Sequence, residues 1–191
     1  NIKAPLVNLL PVITLSSSDS NAVICDGDNV VFLSLPSGLL NYQFFINGGS
    51  VQSGINNNFA TSNLVNGDTI KAVGISTAGC TGPASNNLVF TVNPIPTVSI
   101  TALDDSICFG DLTSFSALPA GYNNYDFYDG GNLVQSGASE IYSFAVDSAN
   151  SITVIATNLG CPSLLSNDTS VTVTYGSGSA ISSSDPDNTI C

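Results

Sequence analysis

The chain has 191 residues, of which 43% are hydrophobic and only 8% are charged, so we expect a packed core whose polar surface comes from Ser, Thr, Asn and Gly. Lys3 and Lys71 are the only cations beside 14 acidic residues, which gives a formal net charge of −12. This charge excludes neutralisation of nucleic-acid phosphates, and no apolar run reaches the length needed for direct membrane insertion.

Short runs of Val, Ile, Thr, Phe and Tyr stand between clusters of Gly, Asn, Asp and Pro, a pattern typical of β-strands and turns. We interpret residues 1–11 as the tail of a preceding repeat, and the whole chain as an internal piece of a longer polypeptide. The strands predicted next are, in chain order, Val12–Ser17, Asn29–Leu35, Tyr42–Ile46, Ser50–Gln52, Asn58–Asn63, Thr69–Thr77 and Asn87–Val92. About seven strands in some 80 residues predict a β-sandwich.

The same sequence pattern then begins again after Pro94 and Pro96, which favour a short and stiff connection. The segment at 35–38 recurs at 118–121 and that at 51–54 recurs at 134–137, each about 83 residues later. The pair Ile-Cys occurs at 24–25, 107–108 and 190–191. We therefore predict repeat 1 at 12–95, repeat 2 at 97–178 and the start of repeat 3 at 179–191.

These repeats predict an all-β fold class, with tandem Ig-like β-sandwich repeats arranged head to tail. Their core is expected to contain two aromatic residues from the third strand of each repeat, where antibody domains keep a Trp. In the present sequence these core aromatics are Tyr42, Phe44, Tyr125 and Phe127.

The five cysteines fall into two positional classes, since Cys25, Cys108 and Cys191 precede the second strand of a repeat and Cys80 and Cys161 follow its sixth. In an Ig-like topology these two positions lie at opposite ends of one sandwich, ~20 Å or more apart, whereas a disulfide requires Cα atoms within roughly 7 Å. This geometry favours a bond between repeats, Cys25–Cys161. Cys80, Cys108 and Cys191 would then pair with neighbouring repeats outside this piece. The alternative that stays open is pairing within each repeat.

Catalytic and metal chemistry have few candidate residues. The sequence contains no His, which excludes a Ser–His–Asp or Cys–His arrangement, so we expect no enzymatic activity. Among metals, calcium is the better candidate, because Asp side chains supply the oxygen ligands that it prefers. Asp is also a common turn residue, which is the alternative explanation. The candidates surrounding the cysteines are Asp19, Asp26, Asp28, Asp104, Asp105 and Asp111. No other cofactor is expected.

The motifs of the two repeats resemble those of a known family. The order Ile-Cys-x-Gly-Asp at 24–28 and 107–111, then Tyr-x-Phe-aromatic at 42–45 and 125–128, and a terminal Gly-Cys, resembles the Ig-like repeats of giant surface adhesins of gliding Bacteroidetes-type bacteria. One departure is that Phe44 and Phe127 stand where those repeats usually have Trp.

The resemblance implies an extracellular filament, exported by a type 9 secretion system, that serves attachment and gliding motility. Its partners would be adjacent repeats of the same chain and, through other regions, an external substratum or glycan. The alternative is an array of carbohydrate-binding modules in a secreted multidomain protein, for which the absence of Trp is unfavourable.

Overall fold

The computed structural model describes residues 7–176, and all regular secondary structure in that range is β-strand, which confirms the predicted all-β fold class. None of the described residues forms a helix long and apolar enough to cross a membrane. The chain divides into two compact units. One unit extends to Ile95 and also contains Leu159–Cys161, and the other contains Pro96–Asn158 and the residues from Pro162 onward.

The first unit is built from two antiparallel sheets and one short parallel pair. Its strands are β1 (Thr14–Ser17), β2 (Val23–Cys25), β3 (Val30–Leu35), β4 (Asn41–Ile46), β5 (Gly49–Gly54), β6 (Asn58–Thr61), β7 (Thr69–Ile75), β8 (Thr81–Ala84), β9 (Leu88–Val89) and β10 (Thr91–Asn93). One sheet has the order β1-β3-β6, and the other has the order β5-β4-β7-β8, with β9 also paired to β7. Strands β2 and β10 run parallel to each other.

The second unit repeats this arrangement. Its strands are β11 (Ser99–Ala102), β12 (Ser106–Cys108), β13 (Leu112–Leu118), β14 (Asn124–Asp129), β15 (Asn132–Gly137), β16 (Ile141–Ala145), β17 (Ile152–Asn158), β18 (Cys161–Pro162) and β19 (Thr172–Thr174). Cys161, the first residue of β18, is grouped with the first unit. The sheets have the orders β11-β13-β16 and β15-β14-β17-β18, and β12 pairs in parallel with β19.

Each unit has its own hydrophobic core, and strand alternation decides which side chains enter it. Along β3, residues 30, 32 and 34 are buried while residues 31, 33 and 35 are exposed. In the first core Phe32 packs edge-on against Phe90, with ring centroids 5.5 Å apart. In the second, Phe115 stacks on Phe144 at 5.8 Å. Full burial of one such side chain contributes about 1.5–3 kcal/mol, so these aromatics are principal contributors to both cores.

The first and last strands of a repeat differ from the prediction of continuous strands at Val12–Ser17 and Asn87–Val92. The chain leaves β1 through a turn in which Ala22 has a positive φ of 55°, and then forms β2, a strand that was not predicted. The last strand is divided at the buried Phe90, whose backbone N–H donates to the carbonyl of Asp68. Before this point the strand pairs with β7, and after it with β2.

Candidate functional site: the disulfide and its surroundings

Strand pairing fixes the backbone position of Cys25 at the end of β2. Cys25 lies opposite Asn93 in the parallel pair β2–β10, and the carboxylate of Asp28 accepts a hydrogen bond of 2.9 Å from the Cys25 backbone N–H. The N–H of Asp28 donates in turn to the carbonyl of Cys25 at 3.0 Å. The turn passes through Gly27, whose φ of 85° favours glycine. The Asp-Gly-Asp sequence therefore holds the cysteine at the end of the strand.

The other cysteine of the bond, Cys161, follows a tight turn. Leu159 and Gly160 both have positive φ, of 51° and 83°, and the Cys161 side chain is buried. The side-chain amide of Asn93 donates to the carbonyl of Leu159 at 3.0 Å. These contacts lie within the first compact unit, to which Leu159–Cys161 belong.

Cys25 and Cys161 form a disulfide that joins residues separated by 136 positions. Their Cα atoms are 5.6 Å apart, within the range that an unstrained backbone allows. The bond connects the two cysteines that the strand order favours, and it connects repeat 1 of the sequence to repeat 2. The within-repeat pair Cys25–Cys80 is not formed, since Cys80 carries a free thiol.

Two further cysteines among the described residues are not disulfide-bonded. Cys80 is half-buried in the turn after β7, and Cys108 is exposed at the end of β12. Cys191 lies outside the described residues. The bonds predicted from these three cysteines to neighbouring repeats stay predictions.

Two of the acidic residues near the cysteines accept backbone hydrogen bonds within turns. The Asp19 carboxylate accepts from the N–H of Val23 at 3.3 Å, and that of Asp28 accepts from Cys25. Between residues 7 and 176 no three His, Cys, Asp or Glu side chains gather in a group that could hold a metal ion. Calcium takes six to eight oxygens, so the side-chain arrangement lends its predicted site no support. The candidates concerned are Asp19, Asp26, Asp28, Asp104, Asp105 and Asp111.

The four aromatic side chains predicted for the cores, Tyr42, Phe44, Tyr125 and Phe127, are fully buried. The hydrogen bonds of the two tyrosine hydroxyls were not predicted from the sequence. The hydroxyl of Tyr42 donates to the carbonyl of Pro36 at 2.7 Å and accepts from the N–H of Leu39 at 3.1 Å. The hydroxyl of Tyr125 makes the same pair of bonds in repeat 2. A Pro and a Tyr at the same spacing in both repeats are the signal that points to this contact.

A second missed contact connects the smaller sheet of each unit to the segment that follows β8 or β18. The side chain of Asn86 both accepts from the N–H and donates to the carbonyl of Leu15 in β1, at 2.9 and 3.0 Å. Asn167 makes the same two bonds to Ile100 in β11, both at 3.0 Å. The Ser-Asn pair at 85–86 and 166–167 is the repeated signal. We call each of these paired contacts an asparagine clip.

Comparison with known proteins places this architecture in a structural class. No family model matches the chain, and no curated protein matches it significantly in sequence. The fibronectin(III)-like modules of CbhA from Clostridium thermocellum superpose with a TM-score of 0.52 at 15% identity, over 86% of this chain and 95% of that one. The fold is therefore a fibronectin-III/Ig-like β-sandwich.

Two other solved structures are more distant. Murine CEACAM1b gives a TM-score of 0.47 at 11% identity, covering 85% of this chain and 100% of that one. A 1.5-MDa bacterial ice-binding adhesin gives 0.43 at 15% identity, covering 88% and 67%. Neither likeness adds an argument about function.

Proposed function

We propose that this chain is a non-catalytic, load-bearing segment of a long extracellular adhesin filament, in which adjacent repeats of the same chain are the partners. The observation that carries the proposal is the Cys25–Cys161 disulfide, which joins two different repeats of the sequence. A bond needed only for the stability of one sandwich would join cysteines of the same repeat.

The bond changes how tension passes along the chain. Force applied at the two ends travels through the disulfide, so the 136-residue interval between the cysteines is relieved of tension and cannot be pulled out. A proline connection alone would leave hinge motion between repeats, whereas a second covalent connection restricts it. Resistance to extension and bending is what a filament needs if it is to transmit pulling force from a cell to a surface.

The chemistry of the chain supports an extracellular location. Disulfides persist in oxidising compartments such as the bacterial periplasm and the cell surface. The surface is poor in charge and rich in Ser, Thr and Asn, and the net charge of −12 disfavours contact with nucleic acid or anionic lipid.

Both halves of the bond recur in the sequence, which supports a continuing array. Cys80 holds the position of Cys161 one repeat earlier, while Cys108 and Cys191 hold that of Cys25 one and two repeats later. Cys80 would pair with the preceding repeat, and the other two with following repeats. An unbroken series of such bonds would leave only short stretches, such as that from Cys161 to Cys191, in the path of the load.

The finer assignment to surface attachment and gliding motility rests on the motif resemblance alone. Among adhesins of gliding bacteria the motif order is most similar to SprB, and no sequence match supports this individual identity. An external substratum or glycan would be bound by other regions of the parent protein.

Surface display and attachment are tested with Fab fragments raised against the folded chain. We expect these Fabs to label intact cells of the organism that encodes the chain, and to reduce cell attachment to glass under flow relative to Fabs of unrelated specificity. Labelling that required permeabilised cells would contradict the proposal. If the Fabs labelled the cells fully and attachment did not change, the surface location would be supported and the role in adhesion would be contradicted.

A further inference from the structure

The second unit presents an exposed surface around a free cysteine at the end of β12 and β19. Cys108 is exposed, and the hydroxyl of Thr174 lies 3.8 Å from its sulfur. Next to it Phe109 and Tyr175 stack on each other with centroids 5.4 Å apart, although they are 55% and 66% exposed. We call these four residues, Cys108, Phe109, Thr174 and Tyr175, the Cys108 surface.

An open groove adjoins this surface. It is lined by Cys108 and Thr174 together with Asp104, Gly110 and Asp111. The stacked aromatic pair remains exposed beside this groove. Aromatic residues, Tyr in particular, are enriched among the residues that contribute most to binding at the centre of protein–protein interfaces. The pair therefore favours a binding surface.

The equivalent surface of repeat 1 shows what binds at this position. There Cys25, the counterpart of Cys108, is bonded to Cys161, which lies directly after a glycine turn. Asn93, the counterpart of Thr174, donates from its side chain to the backbone of the same turn, at Leu159. The occupant at this position in repeat 1 is thus a Gly-Cys turn between the long strand β17 and the short strand β18.

Within residues 7–176 one more turn of this type occurs, at Gly79 and Cys80, and its thiol is free. Residues 76–80 connect β7 to β8, with Gly79 at a φ of 80°. The turn is closed by backbone bonds of 2.9 Å from Ser76 to Cys80 and from Gly79 to Ser76. The side chain of Ser76 also accepts from the N–H of Cys80 at 3.1 Å. The turn is therefore held in shape before any partner binds.

We propose that the Cys108 surface binds the turn at residues 76–80 of a second copy of this module, and that a Cys108–Cys80 disulfide then closes the contact. In a longer array that copy is another repeat, and for the isolated chain it is another molecule. This inference rests on the proposed function, since it extends the repeat-to-repeat bond to the two free thiols of the described residues, Cys80 and Cys108.

The covalent step requires an oxidant, for which glutathione disulfide is sufficient. The Cys108 thiolate attacks glutathione disulfide and releases one glutathione thiolate. The Cys80 thiolate of the second copy then attacks the Cys108 sulfur of the mixed disulfide and releases the second. Two protein thiols are oxidised to one disulfide, and one glutathione disulfide is reduced to two glutathione molecules, so that protons and electrons balance.

The test uses the full chain with Cys191→Ser, which removes the cysteine outside the described residues. In a glutathione redox buffer at 0.15 M salt, where the repulsion between two copies of charge −12 is screened beyond about 8 Å, we expect a ladder of covalent oligomers. An equimolar mixture of the Cys80→Ser and Cys108→Ser variants should give a heterodimer containing a Cys108–Cys80 peptide by mass spectrometry. Each variant alone should remain largely monomeric.

A second pair of substitutions separates docking from simple thiol reactivity. Phe109→Ala with Tyr175→Ala should slow heterodimer formation at least tenfold, while the reaction of Cys108 with a small aromatic disulfide reagent changes less than twofold. Heterodimers no more abundant than like-with-like dimers, or an unchanged rate in the double variant, would overturn the inference. Either of these results would contradict the docking inference without contradicting the Cys25–Cys161 bond. The proposed function itself would be contradicted if that bond were absent from the unreduced protein.

Discussion

The buried hydroxyls of Tyr42 and Tyr125 each hold two backbone groups of the turn that precedes their strand. We expect Tyr42→Phe to lower the free energy of unfolding by about 1–3 kcal/mol, because one N–H and one carbonyl would lose their partner inside the protein. Urea denaturation measures this change, and Tyr125→Phe should behave alike. Tyr175→Phe is the control, since that side chain is exposed and should change stability by less than about 0.5 kcal/mol. Equal effects in all three variants would contradict the role given to the buried bonds.

The hydroxyl of Tyr142 gives the chain a dependence on alkaline pH. Burial, and secondly the charge of Asp129, raise the pKa of Tyr142 above its ordinary value of 10.0. The folded state therefore holds this proton more tightly than the unfolded state. The resulting stabilisation is complete below about pH 10 and is lost as the pH rises through the folded-state pKa.

Tyr142→Phe should consequently make the urea midpoint fall less steeply above pH 10 than it does in the parent. Repeat 1 has Phe59 at the equivalent strand position, opposite Phe32 as Tyr142 is opposite Phe115, so the substitution suits the fold. Both proteins should carry Cys80→Ser, Cys108→Ser and Cys191→Ser to prevent thiol exchange. Parallel pH profiles for the two proteins would refute the assignment.

Among the structural elements, the first strand of each sandwich depends on its asparagine clip. The N–H of Leu15 bonds to Asn86 and that of Ile100 to Asn167, so each clip connects the smaller sheet to the segment following β8 or β18. Asn86→Ala should lower stability by about 1 kcal/mol and speed hydrogen exchange at Leu15 roughly fivefold.

The two repeats supply a control for each other in that experiment. Exchange at Ile100 should remain unchanged in Asn86→Ala, and Asn167→Ala should give the reverse pattern. Measurement is by amide-resolved NMR. If exchange became faster at both Leu15 and Ile100 in either variant, the cause would be global unfolding. The asparagine clip would then have no local effect on its own strand.

Element length decided which strands could be predicted from the sequence. The long strands β3, β4 and β7 have clear alternation or paired aromatics, and their approximate positions followed from composition. Strand β2 has three residues and was not predicted, and β10 was predicted only as part of a continuous strand at Asn87–Val92, because no periodicity marks such short segments. Their pairing depends on contact between segments far apart in the chain, which propensity does not encode.

The candidate site was also predictable only in part, because strand direction predicted the disulfide whereas nothing predicted the side-chain bonds to the backbone. The choice of Cys161 as the partner of Cys25 needed only the direction of strands in a sandwich and the reach of a disulfide. The bonds of Tyr42 and of Asn86 were missed because they join side chains to backbone groups, and the sequence shows such contacts only as repeated spacings. The carboxylate of Asp28 accepts a hydrogen bond within a turn, a role that Asp commonly has, and the calcium site predicted for the aspartates stays a prediction.

The disulfide determines how far the complete chain extends under force. In the oxidised protein, pulled through handles at both termini, the interval of 136 residues stays closed after every sheet has unfolded. A polypeptide extends by at most about 3.3–3.6 Å per residue, so this interval corresponds to roughly 450–490 Å. We expect the fully extended length to be shorter by that amount than in a Cys25→Ser, Cys161→Ser variant.

Optical-tweezers measurements on the two proteins, with Cys191→Ser in both, give this difference directly. Adding a reductant to the parent should restore the missing length, while Cys80→Ser and Cys108→Ser should leave the parent's extension unchanged. Since the contour length depends only on which residues are covalently connected, it is independent of how strongly either sandwich resists unfolding. Equal extensions of oxidised parent and double variant would show that the load does not pass through the bond, and the chain would then lack the property that a force-bearing filament segment requires.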